Sequence, residues 1–97
     1  MANEAETIHG YTENRGAVLK RLRRIEGQVR GVERMVEENR YCIDVVTQVT
    51  AIQAALDKVA LELLSDHAAH CVAGAADDNQ AEMTEELMAA VKRLLKR

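Results

Sequence analysis

The sequence has 97 residues, 47% hydrophobic and 30% charged, with no proline, phenylalanine or tryptophan, and it points to one small all-α domain over residues 1–97. The start, MANEAETIHG, is acidic and lacks an apolar stretch, and no later segment approaches ~18 uninterrupted apolar residues; neither a signal peptide nor a membrane span is expected, and a cytoplasmic location is. The net charge of −3 argues mildly against nucleic-acid binding until its distribution along the chain is considered.

Residues 1–13 show no apolar period and are expected to be flexible. From Val18, the residues Val18, Leu22, Ile25, Val29, Val32 and Val36 recur at alternating intervals of four and three, which predicts a first helix over about 14–38. This segment is basic. Eight of the 13 Lys and Arg residues lie between positions 15 and 40, against four acids, for a local charge of +4. Lys20, Arg21, Arg23, Arg24, Arg30 and Arg34 flank the apolar stripe and form a candidate phosphate-contacting face, although a charge run on a helix is also the ordinary composition of a solvated surface.

A second stripe runs through Cys42, Val45, Val49, Ile52, Leu56, Val59 and Leu63, with Gly74 as a C-terminal stop, and predicts a helix over about 41–73. Asn79 and Glu82 stand at capping-box spacing before Met83, Leu87, Val91 and Leu94, which predict a third helix over about 80–95. The closing cluster Lys92, Arg93, Lys96 and Arg97 reads equally as a second basic patch and as the complement of a helix C-terminus.

The stretch DHAAHCV carries the remaining chemistry. On a helix, His67 and Cys71 are four residues apart and share a face, whereas His70 is turned about 60° aside. Two ligands rarely close a metal site. Cys42 lies 25 residues before His67, about 37 Å along one helix axis, so it cannot join them within a chain; yet 25 residues are almost seven whole turns, and the two side chains point the same way. An antiparallel pair of these helices, crossing near residues 54–56, would set Cys42 of one copy opposite His67 and Cys71 of the other, twice per dimer. Two thiolates and an imidazole suit Cu(I) better than Zn(II), which prefers four ligands. Taken singly, Cys42 reads as a small buried hydrophobe and His67 as a solvated helix end; His9 and His70 stay outside the set.

The chain closely resembles the copper-sensing operon repressor family, also called CsoR, over about residues 11–92. RLRRIEGQVRGVERMVEENRYCIDVVTQVTAIQAAL is similar to the family's helix-to-helix signature, and LLSDHAAHCV to its second ligand block. The resemblance implies a three-helix protomer, an antiparallel four-helix-bundle dimer paired into a tetramer, operator DNA bound by the apo form, and release on Cu(I) binding. It implies Cys42, His67 and Cys71 as ligands, the set of the copper branch; the nickel and cobalt branch has His in the last place and uses an N-terminal His, and the persulfide branch lacks the His. Tyr41 and, in EELMAAVK, Glu86 match the family's residues around the site, Glu86 being preferred over Glu85 as the acid that bonds the ligand His. Arg21 matches a helix-one Arg used for operator binding. A family Arg in the second half of helix two is replaced here by Leu61, with Lys58 nearby.

The expected function is therefore a Cu(I)-responsive repressor without membrane or small-molecule partners. The alternatives are a persulfide- or other-metal-sensing member of the same family and a copper carrier that needs no basic face. An enzyme with Cys71 as nucleophile and His67 or His70 as base is disfavoured, since there is no glycine-rich loop or oxyanion-type turn.

Overall fold

A computed structural model describes residues 11–96. In chain order it contains a 3₁₀ turn at Thr12–Asn14, helix α1 at Arg15–Glu37, helix α2 at Cys42–His67, a π-helical turn at Ala68–Val72 and helix α3 at Asp77–Leu95. No strand occurs among the described residues, so the all-α expectation stands. The flexible start expected over 1–13 falls outside the described residues up to position 10, as does His9; Thr12 and Glu13 belong to the 3₁₀ turn.

The described residues organise into two compact units. One is Gly16–Val59; the other joins the stretch ending at Arg15 to the residues from Ala60 onward. The first unit holds the buried apolar side chains of the described residues: Val18 and Ile25, one heptad apart on α1, and Val59 on α2. This is a thin core. Val29, Val36, Ile43, Val46, Val49 and Leu56, all in that unit, remain exposed.

The α1–α2 turn closes by backbone chemistry. Arg40 N–H donates to the Met35 carbonyl at 2.9 Å and Asn39 N–H to the Val36 carbonyl at 3.0 Å, the paired bonds of a Schellman motif that satisfy the last carbonyls of α1. The motif needs a left-handed residue after the helix, and Asn39 supplies it with φ 55°. Asparagine tolerates this region better than most residues with a Cβ. Arg40 and Glu38, 3.8 Å apart and both exposed, add little.

In the second unit the predicted boundaries shift. The helix expected to run to residue 73 stays α-helical only to His67 and widens into the π turn, where Ala73 N–H donates to the Ala68 carbonyl at 3.1 Å, five residues back. Gly74 does not stop it by left-handed backbone. A Cβ there would lie 3.2 Å from the His70 carbonyl oxygen, so glycine permits a close approach. Helix α3 begins at Asp77, earlier than the expected position 80, and the expected Asn79 cap is not used. Ala76, extended at ψ 151°, is the N-cap residue; its carbonyl accepts the Asn79 and Gln80 N–H groups at 2.8 and 2.9 Å. The helix thus starts without a side-chain cap, and the Asn79 N–H is satisfied by the backbone.

Because Asn39 holds a left-handed conformation, Asn39→Ala should destabilise the protein by about 1 kcal/mol and Asn39→Gly by a few tenths at most. Urea midpoints at one fixed protein concentration check this. Equal midpoints for the Ala and Gly variants would show that the turn does not depend on this residue's backbone freedom.

Candidate metal centre and basic surface

Cys42 is the first residue of α2 and is exposed. Tyr41, just before it, is 67% exposed and its carbonyl accepts the Val45 N–H at 3.2 Å, which makes it the cap of α2. On α2, helical spacing sets Cys42, Val46, Val49 and Leu56 along one side, and these three apolar side chains are among the exposed ones. The predicted first ligand therefore opens an uncovered apolar stripe.

His67 ends α2, and Cys71 sits half-buried in the π turn that follows. In an α-helix four residues advance slightly more than one turn, and in a π-helix slightly less, so the widening keeps the pair on neighbouring azimuths. The His67 side chain is 28% exposed, and its Nε2 lies 3.9 Å from Oε1 of Glu86 on α3, itself 75% exposed. Of the adjacent acids Glu85 and Glu86, it is Glu86 that the structure brings to the imidazole. Tyr11, Leu63, Leu64, Leu87 and Ala90 line an apolar recess with this pair. The imidazole nitrogen on the Glu86 side is Nε2.

His70 is exposed and points elsewhere, lining a polar recess with Glu13, Asn14 and Asp66. Asp66 Oδ2 is buried there without a hydrogen-bond partner. Among the described residues no three His, Cys, Asp or Glu side chains approach closely enough to hold a metal ion. The chain brings His67 and Glu86 together, keeps Cys71 one turn away from His67, and leaves Cys42 at the opposite end of α2.

The basic residues fall into two groups. Along α1, at about 100° per residue, Arg23, Arg30 and Arg34 fall within about 40° of one another, Arg21 lies on the far side, and Lys20 and Arg24 fall between them. Glu26, Glu33 and Glu37 border the first group by the same spacing, and Arg30 lines a shallow groove with Glu26 and Glu33. The second group is different. Arg21 and Arg24 line one recess with Gln28 of α1 and Ala55 and Lys58 of α2, and no acid lines it. Sequence reasoning passed over Gln28, although its seven-residue spacing from Arg21 was the available signal.

Comparison with known proteins gives first the class and then the family. The helical chain matches a profile described as metal-sensitive transcriptional repressor over residues 14–93. The chain belongs to this family, whose members are DNA-binding regulators and not enzymes. It is 50% identical over 95 residues to the copper-sensing transcriptional repressor RicR of Mycobacterium tuberculosis, covering 91% of this chain and 95% of that protein. Among solved structures, the copper-sensing repressor CsoR with Cu(I) from Geobacillus thermodenitrificans superposes with a TM-score of 0.76 at 52% identity, over 86% of this chain and 88% of that one. The nickel-responsive transcriptional regulator InrS superposes with a TM-score of 0.69 at 38% identity, over 97% and 99% of the two chains. Among the described residues no helix is long and apolar enough to cross a membrane.

The His67–Glu86 contact is long and its acid is well exposed, so in the metal-free protein it should contribute little. A double-mutant cycle of His67→Asn and Glu86→Gln, read by chemical denaturation, should give a coupling below about 1 kcal/mol. A coupling several times larger would mean that the pair is already locked without metal.

Proposed function

We propose that the chain is a Cu(I)-responsive repressor whose metal-free form binds operator DNA and whose metal-loaded form releases it. The observation that carries this reading is the separation of the three soft donors. His67 and Cys71 stand together at one end of α2, Cys42 stands at the other, and no third donor in the described residues completes a set within the chain. A second copy laid antiparallel along α2 would supply it. It would also cover Val46, Val49 and Leu56, so the same surface serves assembly and metal capture. Pairing of such dimers into a tetramer follows the family resemblance.

Two thiolates and one imidazole fit a soft ion of low coordination number, which favours Cu(I); when bound, it would supply one soft centre that fixes His67 and Cys71 relative to the partner's Cys42. Each residue then has a stated task. Cys42 and Cys71 supply most of the affinity. His67 ligates through Nδ1 and presents Nε2 to Glu86, so fixing the imidazole tightens a contact that is loose in the metal-free protein. Tyr41, at the cap of α2, borders the first ligand. Because Glu86 belongs to α3, the position of that helix becomes sensitive to the metal.

DNA binding is assigned to the basic surface of α1 with Lys58. Arg21, Arg24 and Lys58 are assigned as the main phosphate contacts, because they converge with the amide of Gln28 on one recess. Arg23, Arg30 and Arg34 contribute less, since by helical spacing Glu26, Glu33 and Glu37 border them; Lys20, one turn before Arg24, extends the first set.

A second reading, nickel sensing, is favoured by the likeness to InrS. The thiol at position 71 counts against it, since the resemblance places His there in the nickel branch.

Fluorescence-anisotropy titrations with the promoter region of the protein's own gene test the proposal. Cu(I) should weaken operator binding by roughly 5- to 150-fold, the usual range of such couplings. Lys58→Ala and Arg24→Ala should each lower the slope of log K against log[salt] by about 1 while leaving Cu(I) stoichiometry unchanged. Release by Ni(II) but not by Cu(I) would establish the nickel reading instead; no binding at low salt would remove the repressor reading.

A further inference from the structure

The π turn has a second tie to α3, distinct from His67–Glu86. Gln80 Nε2 donates to the Val72 carbonyl at 3.2 Å, and the bond is partly buried. Val72 directly follows Cys71 and ends the π turn, so its carbonyl is one of those left without an intrahelical partner. The Ala75 N–H reaches the same oxygen at 3.2 Å.

Gln80 is also an unusual choice at its position. It falls on the half-buried stripe of α3 with Met83, Leu87, Ala90, Val91 and Leu94, and it is the one polar member of that stripe. An apolar side chain would gain more from burial there, and the amide instead satisfies a backbone carbonyl. Its own N–H donates to the Ala76 carbonyl at 2.9 Å. One residue therefore pins the connecting segment at both ends, by backbone to Ala76 and by side chain to Val72.

We propose that Gln80 is a positioning residue for Cys71 and a second mechanical link between the metal-binding segment and α3, working alongside Glu86. A shift of the Cys71 backbone on metal capture must move the Val72 carbonyl, and the Gln80 amide carries that shift into the first turn of α3. Glu86 reports on His67 through an exposed, long contact; Gln80 reports on Cys71 through a shorter and more sheltered one. The coupling role rests on the repressor reading, whereas the positioning role belongs to the metal-free protein and does not.

The test uses the full chain with Gln80→Met, which keeps length and helix preference but cannot donate, and Gln80→Glu, whose carboxylate also lacks a donor at pH 7. Gln80→Lys restores an N–H donor of similar reach. In the metal-free protein, amide hydrogen exchange at Ala73 and Ala75 should quicken roughly fivefold in the Met and Glu variants and return at least halfway in the Lys variant. The ratio of operator affinities without and with Cu(I) should fall by a similar factor in the first two and recover in the third. A role in stability alone would lower the melting temperature without moving that ratio. Unchanged exchange would overturn the positioning claim, and faster exchange with an unchanged ratio would overturn the link. If the parent itself does not respond to metal, the repressor reading fails, and the exchange arm still decides the positioning claim.

Discussion

The apolar side of α2 is the constraint on which the rest depends. Within Gly16–Val59 three apolar side chains are buried while Val46, Val49 and Leu56 stay open to solvent on the side of the helix that begins with Cys42. Fully covering one such side chain contributes about 1.5–3 kcal/mol, so an uncovered stripe is a sizeable fraction of a small domain's stability. In the proposed dimer the stripe is covered by its own symmetry mate, and by helical spacing the side chain of His67 shares that azimuth. Metal capture would then occur where assembly energy is concentrated, and a small change in donor geometry would be felt by the subunit packing.

At the far end of α2 the architecture departs from a plain helix. The π turn holds Cys71, ends in a carbonyl held by Gln80, and is followed by Gly74, which lets the chain pass close to the His70 carbonyl. Helix α3 is thereby attached to the proposed metal-binding segment at two points, the long His67–Glu86 contact and the shorter Gln80–Val72 bond. The exposed Glu86 contact can tighten; the sheltered Gln80 bond can transmit. This division suits a switch, because a device whose links were all rigid in the metal-free form would have no second state to occupy.

Much of this could be read from the sequence. The alternating four-and-three spacing of Val18 to Val36 and of Cys42 to Leu63 gave the helices that are found, because a 3.6-residue period leaves a strong pattern when one face is apolar. The likeness of Cys42, His67 and Cys71 to a ligand set was also visible, since azimuth along a straight helix follows from counting. What the sequence hid was set by non-local contacts. Ala68 and Ala69 give no sign that the backbone widens after His67, and α3 starts at Asp77 after Ala76 with no side-chain cap, so no capping pattern marks its start. Gln80 shows only as a polar residue on an apolar stripe. Its partner, the Val72 carbonyl, belongs to no sequence pattern. The convergence of Arg21, Arg24, Gln28 and Lys58 likewise required two helices to be placed side by side.

The central claim is that one metal site is built from two copies of the chain, and subunit mixing tests it most directly. Chains carrying Cys42→Ala and chains carrying Cys71→Ala should each bind Cu(I) weakly on their own. After co-refolding at equal ratio, heterodimers should recover one tight site per dimer, because one of the two antiparallel sites keeps both thiols and the other loses both. A mixture that binds no more tightly than the separate variants would contradict the account and place all the ligands within a single chain.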